Sequence, residues 1–109
     1  MPKGIMVVQS NPSDPAREDE FNNWYTHTHL PQVCSVPGFV AARRYKVCVD
    51  GAGASPPEYK YLAVYDIDAD DIAGAVAEFR ARSAAGEVSI SGALQMDPPP
   101  VVTLYELVE

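Results

Sequence analysis

F-N-N-W-Y-T-H-T-H-L-P-Q-V-C-S-V-P-G-F-V-A-A-R-R-Y, Phe21 to Tyr45, changes its hydrophobic period part-way along. Phe21, Trp24, Tyr25 and Thr28 recur at helical spacing, where residues three and four apart share a face. Pro31 has no N–H to donate, so it should end or kink that helix near His29, and Gln32 to Ser35 can form one further turn. V-P-G at 36–38 stops the helix. Beyond it the pattern alternates. Phe39, Ala41, Arg43, Tyr45 and Val47 fall on one face of a strand, and Val40, Ala42, Arg44, Lys46 and Cys48 on the other. A helix therefore feeds directly into a strand.

The reading extends both ways from this junction. Upstream, Asp14 can cap a helix whose first residue is Pro15, because proline at N1 loses no hydrogen bond. Glu18, Asp19 and Glu20 suit the positive end of the helix dipole. Gly4 to Gln9 is a short β-branched and apolar run. The N-terminus thus reads as a first strand and not as a signal peptide. Downstream, D-G-A-G-A-S-P-P at 50–57 is a flexible loop. Tyr59 to Ile67 is a strand with Tyr59, Tyr61, Ala63 and Tyr65 on one face. D-A-D-D at 68–71 opens a second helix through Ile72, Ala73, Val76, Phe79 and Arg80, ending near Gly86. Residues 86–100 are loop-like, and Val101 to Val108 is a last strand. The order β-α-β-β-α-β predicts an α+β, ferredoxin-like chain: a four-stranded antiparallel sheet with two helices on one face. At 109 residues and 47 % hydrophobic composition, 1–109 reads as one domain.

Such a sheet should alternate apolar and polar if its free face meets water. Met6-Val7-Val8, Leu62-Ala63-Val64 and Val101-Val102 instead carry apolar groups on both faces. A second copy of the chain is the expected cover, giving a homodimer, sheet against sheet, with twofold symmetry.

Charge and motifs remove several function classes. The formal net charge is −7, which lacks the basic footprint of a nucleic-acid binder and is repelled by an anionic membrane surface. No run approaches the roughly 18 apolar residues of a membrane span. Cys34 and Cys48 read as reduced thiols, which predicts a cytoplasmic protein. No H-E-x-x-H, C-x-x-C or clustered carboxylate set predicts a metal. G-A-G-A at 51–54 has neither the following helix nor the lysine of a nucleotide loop, and neither cysteine has a base positioned by spacing. No metal and no organic cofactor are expected.

The chain's only two histidines and only tryptophan lie in W-Y-T-H-T-H-L-P, Trp24 to Pro31. Phe21, Tyr25 and His29 form one i, i+4 row. His27 is rotated about 200° from His29 and points elsewhere. A neutral imidazole above the sheet can take a proton from a phenol or an acidic C–H. Tyr45, Tyr61, Tyr65 and Arg43, read on the helix-facing side, could hold a substrate oxygen or offset its charge. The plainer alternatives are a His29 that only caps the helix, core roles for Phe21 and Trp24, and an Arg43-Arg44 pair in solvent.

The run E-D-E-F-N-N-W-Y-T-H-T-H-L-P-Q-V-C-S-V-P-G-F-V-A-A-R-R-Y resembles the EthD-like branch of the dimeric α+β barrel superfamily. The shared pattern is an acidic helix start, F-N-x-W-Y-x-x-x-H-x-P, V-P-G-F, and an A-x-R-[RY] strand, covering Glu18 to Tyr45. The resemblance implies a protomer that pairs through its sheets, with a pocket between helices and sheet. It implies cofactor-free chemistry of monooxygenase, cyclase or isomerase type, with histidine and tyrosine handling protons. The family histidine maps onto His29 and the aromatic pair onto Trp24 and Tyr25. The expected activity is His29-assisted proton transfer on a cyclic, phenolic or enolisable small molecule. Tyr25 would orient the base, and Trp24, Phe21, Arg43, Tyr45, Tyr61 and Tyr65 would hold substrate. The alternative is a non-catalytic ligand-binding or accessory protein of the same fold.

Overall fold

The computed structural model describes residues 3–48 and 58–108. The loop expected over 50–57 lies outside them, as does Val49. Four strands form one antiparallel sheet: β1 (Lys3–Ser10), β2 (Phe39–Lys46), β3 (Tyr61–Asp68) and β4 (Val101–Glu106), in the order β2-β3-β1-β4. Between β1 and β2 runs a continuous helical stretch. It comprises a 3₁₀ turn (Pro15–Arg17), α1 (Glu18–Trp24), a π-helical turn (Tyr25–His29) and α2 (Leu30–Cys34). A further helix, α3 (Ile72–Ala84), follows β3.

Asp14 caps the first stretch as its position predicts, with its carboxylate accepting from the Ala16 N–H at 2.8 Å. Gly38 completes the V-P-G turn at φ 95°. A Cβ there would lie 3.2–3.3 Å from the methyls of Ala75 and Ala69, so the turn needs glycine for its backbone and for the approach of α3.

One sheet face and both helical layers share the core. Met6, Tyr61, Ala63, Tyr65 and Ile67 from β1 and β3 meet Phe21, Tyr25 and Val33 from the first stretch, and Ala75 and Val76 from α3. Val7 lies across from Val64 on the opposite face, beside Ile5 and Leu62. Val64 is buried and the other three are half-buried. That face is apolar at its centre, as the strand composition indicates.

The regular helix is interrupted near His29, where Pro31 predicts an end or a kink: α1 stops at Trp24, the π-helical turn covers Tyr25–His29, and one further turn runs from Leu30 to Cys34. The Leu30 N–H bonds to the Tyr25 carbonyl, five residues back, so the chain stays helical through Pro31. The wider turn removes the need for a donor at Pro31 and relieves the crowding its ring would cause in a regular helix. One expectation needs correction, and it concerns β2. Its register against β3 slips between Phe39, which pairs with Ile67, and Ala41, which pairs with Asp66. This bulge inserts one residue and reverses the facing of everything after it. Ala42 then lies across from Tyr65 and Arg44 across from Ala63, on the helix side. Arg43 lies across from Val64 and Tyr45 across from Leu62, on the outer face. The expectation that Arg43 and Tyr45 look towards the helices is therefore wrong, and Arg44 takes that side.

Candidate functional site

A cavity of about 260 Å³ lies between the first helical stretch, the sheet and the 86–100 segment. Trp24, Tyr25 and His29 line it from the helix, and Met6, Val8 and Tyr65 from β1 and β3. The π turn decides which helix residues meet there. Residues five apart on a regular α-helix are offset by about 140°. The wider turn closes that gap, so the His29 ring packs 4.8 Å from Trp24 at 32° between planes. The Tyr25 ring meets His29 edge-on at 5.0 Å. His29 is only 8 % exposed, whereas His27 is exposed, as the helical offset predicts.

The 86–100 segment forms most of the remaining wall, completed by Phe79 of α3 and Val102 of β4. The segment has no strand or helix, yet it is tied down. Ser13 N–H donates to the Ala93 carbonyl at 2.6 Å, Gln95 N–H to the Asn11 carbonyl at 3.0 Å, and Ser89 N–H to Gln32 Oε1 at 2.8 Å. Ile90, Leu94, Met96, Pro99 and Pro100 are thereby brought to the cavity. Their apolar side chains in an otherwise polar loop were the signal in the sequence that this segment covers something.

Several polar atoms around this cavity lack a well-formed hydrogen bond. Trp24 Nε1 and His29 Nδ1 are buried with none, and the Tyr65 and Ser10 hydroxyls make none of good geometry although both stand beside the Tyr25 hydroxyl. Buried polar groups are paired in the great majority of cases, so such a concentration calls for an explanation. Burial drives the His29 pKa down to about 4. The Arg44 charge adds to this, and the Ser89 backbone works against it. The imidazole is therefore neutral at pH 7. Burial likewise raises the Tyr25 and Tyr65 phenols, so both keep their protons.

Phe21, Tyr61 and Arg44 stand at the neighbouring end of the aromatic cluster. Phe21 is fully buried, with its ring 5.5 Å from Tyr25 and 5.2 Å from Tyr61. The Arg44 guanidinium carbon lies 4.5 Å from the centre of the Tyr25 ring. Arg44 donates to Asn22 Oδ1 at 2.9 Å and to Thr26 Oγ1 at 3.0 Å. Asn22 Nδ2 donates to the Tyr61 hydroxyl at 3.1 Å, and that hydroxyl donates to Glu18. Lys60 pairs with Glu18 at 2.8 Å, and the Lys60 and Tyr61 donors together hold the Glu18 carboxyl below its ordinary range.

Of the residues singled out in the sequence, Trp24, Tyr25, His29 and Tyr65 thus converge on one cavity. Phe21 and Tyr61 back it without lining it. Arg43 and Tyr45 are remote, on the outer face, where Arg43 donates to Tyr45 Oη at 2.9 Å and to Asp66 at 2.8 Å. A larger groove of about 540 Å³ is elsewhere, lined among others by Lys3, Ile5, Asp66, Tyr105 and Leu107. Among the described residues no group of three or more His, Cys, Asp or Glu is arranged to hold a metal ion. No described helix is long and apolar enough to cross a membrane.

No protein-family model matches the chain, and no curated protein matches it either. Solved structures do. An ethyl tert-butyl ether D (EthD) family protein from Bacillus halodurans aligns over 95 % of this chain and 96 % of its own, with TM-score 0.60 and 14 % identity. An EthD-like protein from Ralstonia eutropha aligns over 95 % and 91 %, with TM-score 0.59 and 17 % identity. HapK from Hahella chejuensis aligns over 97 % and 91 %, with TM-score 0.58 and 15 % identity. At such identities the likeness is one of architecture: this chain has the fold of EthD family proteins along nearly its whole length.

Proposed function

We propose that the protein is a cofactor-independent enzyme of the EthD-like kind, acting on a cyclic, phenolic or enolisable small molecule by proton transfer at His29. The observation that carries this is the placement of His29 on a half-enclosed apolar cavity beside other polar atoms that lack a well-formed hydrogen bond. A neutral imidazole is the form that accepts a proton. As the substrate anion forms, the new imidazolium–anion pair offsets the desolvation that lowers the free histidine's pKa. Trp24 Nε1–H and Tyr65 O–H are donors for the substrate oxygen. Tyr25 holds the His29 ring edge-on, and Arg44 holds Tyr25. Arg43 and Tyr45 have no part in this chemistry.

The proposal includes a homodimer joined by the outer sheet faces, since Ile5, Val7, Leu62 and Val64 form an apolar centre there. The free thiols of Cys34 and Cys48 suit a reducing cytoplasm. Turnover of a panel of phenols and lactones, with wild type beside His29→Asn, tests the chemistry. Equal rates for the two proteins remove His29 from the mechanism. Ligand binding without turnover of any member favours the alternative, an accessory binding protein of the same fold. Sedimentation of wild type as a monomer at micromolar concentration removes the dimer.

A further inference from the structure

We infer that the His29 cavity selects an uncharged ligand of one or two fused rings bearing a single hydroxyl or carbonyl, and rejects carboxylates and phosphates of the same shape. This rests on the reading of that cavity as a ligand site and narrows what the site accepts.

Three observations carry it. The first is the lining. Among the described residues, the wall consists of Met6, Val8, Phe79, Leu94 and similar apolar groups, with Trp24, Tyr25, Tyr65 and His29 supplying the polar atoms. No lysine, arginine, aspartate or glutamate contributes to it. An anionic group brought in here would leave water and meet no cation, and an unpaired buried charge is strongly disfavoured. Arg44 is the cation beside this cluster. Its guanidinium is already stacked on Tyr25 and bonded to Asn22 and Thr26, and it does not line the cavity.

The second observation is the set of atoms without a well-formed hydrogen bond. Trp24 Nε1 can only donate, Tyr65 Oη can donate or accept, and His29 Nδ1 can accept when its proton is on the other nitrogen. These atoms lie just beneath the lining, so a hydroxyl or carbonyl on the ligand reaches a donor, and a hydroxyl reaches His29, as the surrounding side chains give way on binding. A second oxygen of a carboxylate adds a desolvation cost without a charged partner. The neutral state of His29 at pH 7 leaves no positive charge on the wall to compensate.

The third is size. A cavity of about 150 Å³ is enough for benzene. At about 260 Å³, this one has room for one or two fused rings. Trp24, Tyr25, Tyr65 and His29 bring aromatic surface to the lining, which suits a ring-containing ligand.

Calorimetric titration of the intact protein at pH 7 with 1-naphthol and with 1-naphthoate tests this. The first is neutral and the second ionised at that pH, and the ring system is the same. The expected result is measurable naphthol binding, with naphthoate weaker by about 100-fold or more. Met96→Arg places a cation at the exposed rim of the same cavity and should narrow the gap by about tenfold or more. Naphthoate binding within tenfold of naphthol overturns the proposal, as does a gap that Met96→Arg leaves unchanged. Binding of neither probe overturns the ligand site itself. Naphthol binding with the expected gap but no turnover of any phenol leaves this inference standing and counts only against the catalytic reading.

Discussion

Two polar regions flank the aromatic cluster built on Phe21 and Tyr25, and they are treated oppositely. At one end, Glu18, Asn22, Thr26, Arg44, Lys60 and Tyr61 form a closed network in which donors and acceptors are matched. At the other, Ser10, Trp24, His29 and Tyr65 bury polar atoms that make no well-formed hydrogen bond. The first arrangement is what folding produces when a buried or half-buried polar group has only to be tolerated. The second carries an unrelieved desolvation cost, and a ligand can relieve it. On the function proposed above, the contrast divides residues that hold the structure from residues that would meet a ligand.

The largest effect expected from this contrast is on rate. His29→Asn should lower turnover of an accepted substrate by about 10²–10⁴-fold, the usual worth of one general acid–base group, while circular dichroism shows an intact fold. A fall in helicity matching the loss of rate would move His29 into the structural set.

Next comes the response to pH. The His29 pKa is about 4 in the folded protein against 6.5 for the ordinary side chain. Between those values the unfolded chain binds more protons than the native one. The contribution is therefore fully present above pH 6.5 and is lost as pH falls to about 4. Its size is about 3 kcal/mol. Urea denaturation of wild type and His29→Asn across that window should show a difference that narrows as pH falls. Parallel profiles would mean that His29 is not buried in its neutral form.

A smaller loss is expected from the satisfied network. Arg44→Met keeps much of the stem but removes two charge-assisted hydrogen bonds and the stacking on Tyr25. It should cost about 2 kcal/mol of stability, read as a lower Tm. The comparison sharpens most in a pair of matched changes. Tyr61→Phe deletes a hydroxyl with two partners and should destabilise by about 1 kcal/mol. Tyr65→Phe deletes one that stands beside the Tyr25 hydroxyl without a bond of good geometry, and should lower Tm less, while lowering turnover. Equal stability changes in the pair would erase the distinction between the two regions.

Much of this protein is legible along the chain, for identifiable reasons. The switch from helical to alternating period across V-P-G, the Asp14–Pro15 helix start and the order of elements all depend on neighbouring residues, and the structure repeats them. The His29 side of the helix is legible for the same reason: angular offsets of a few residues separate it from His27. The apolar residues of the 86–100 segment are a signal that it covers something, but its path is not legible, because that comes from bonds to Asn11, Ser13 and Gln32, distant in sequence. One cause puts Arg44, and not Arg43, on the helix side. An alternating strand has parity, and one inserted residue near Val40 reverses it.

The sequence by itself determined the α+β order, the apolar character of both sheet faces, and the grouping of Trp24, Tyr25 and His29 on one helix. These follow from spacing and polarity over short distances. Only the tertiary structure decided that Arg44 rather than Arg43 supports Tyr25, and that a distant loop covers the cavity beside His29. Each depends on how segments far apart in the chain pack and pair, and local periodicity carries no record of a slipped register or a borrowed wall.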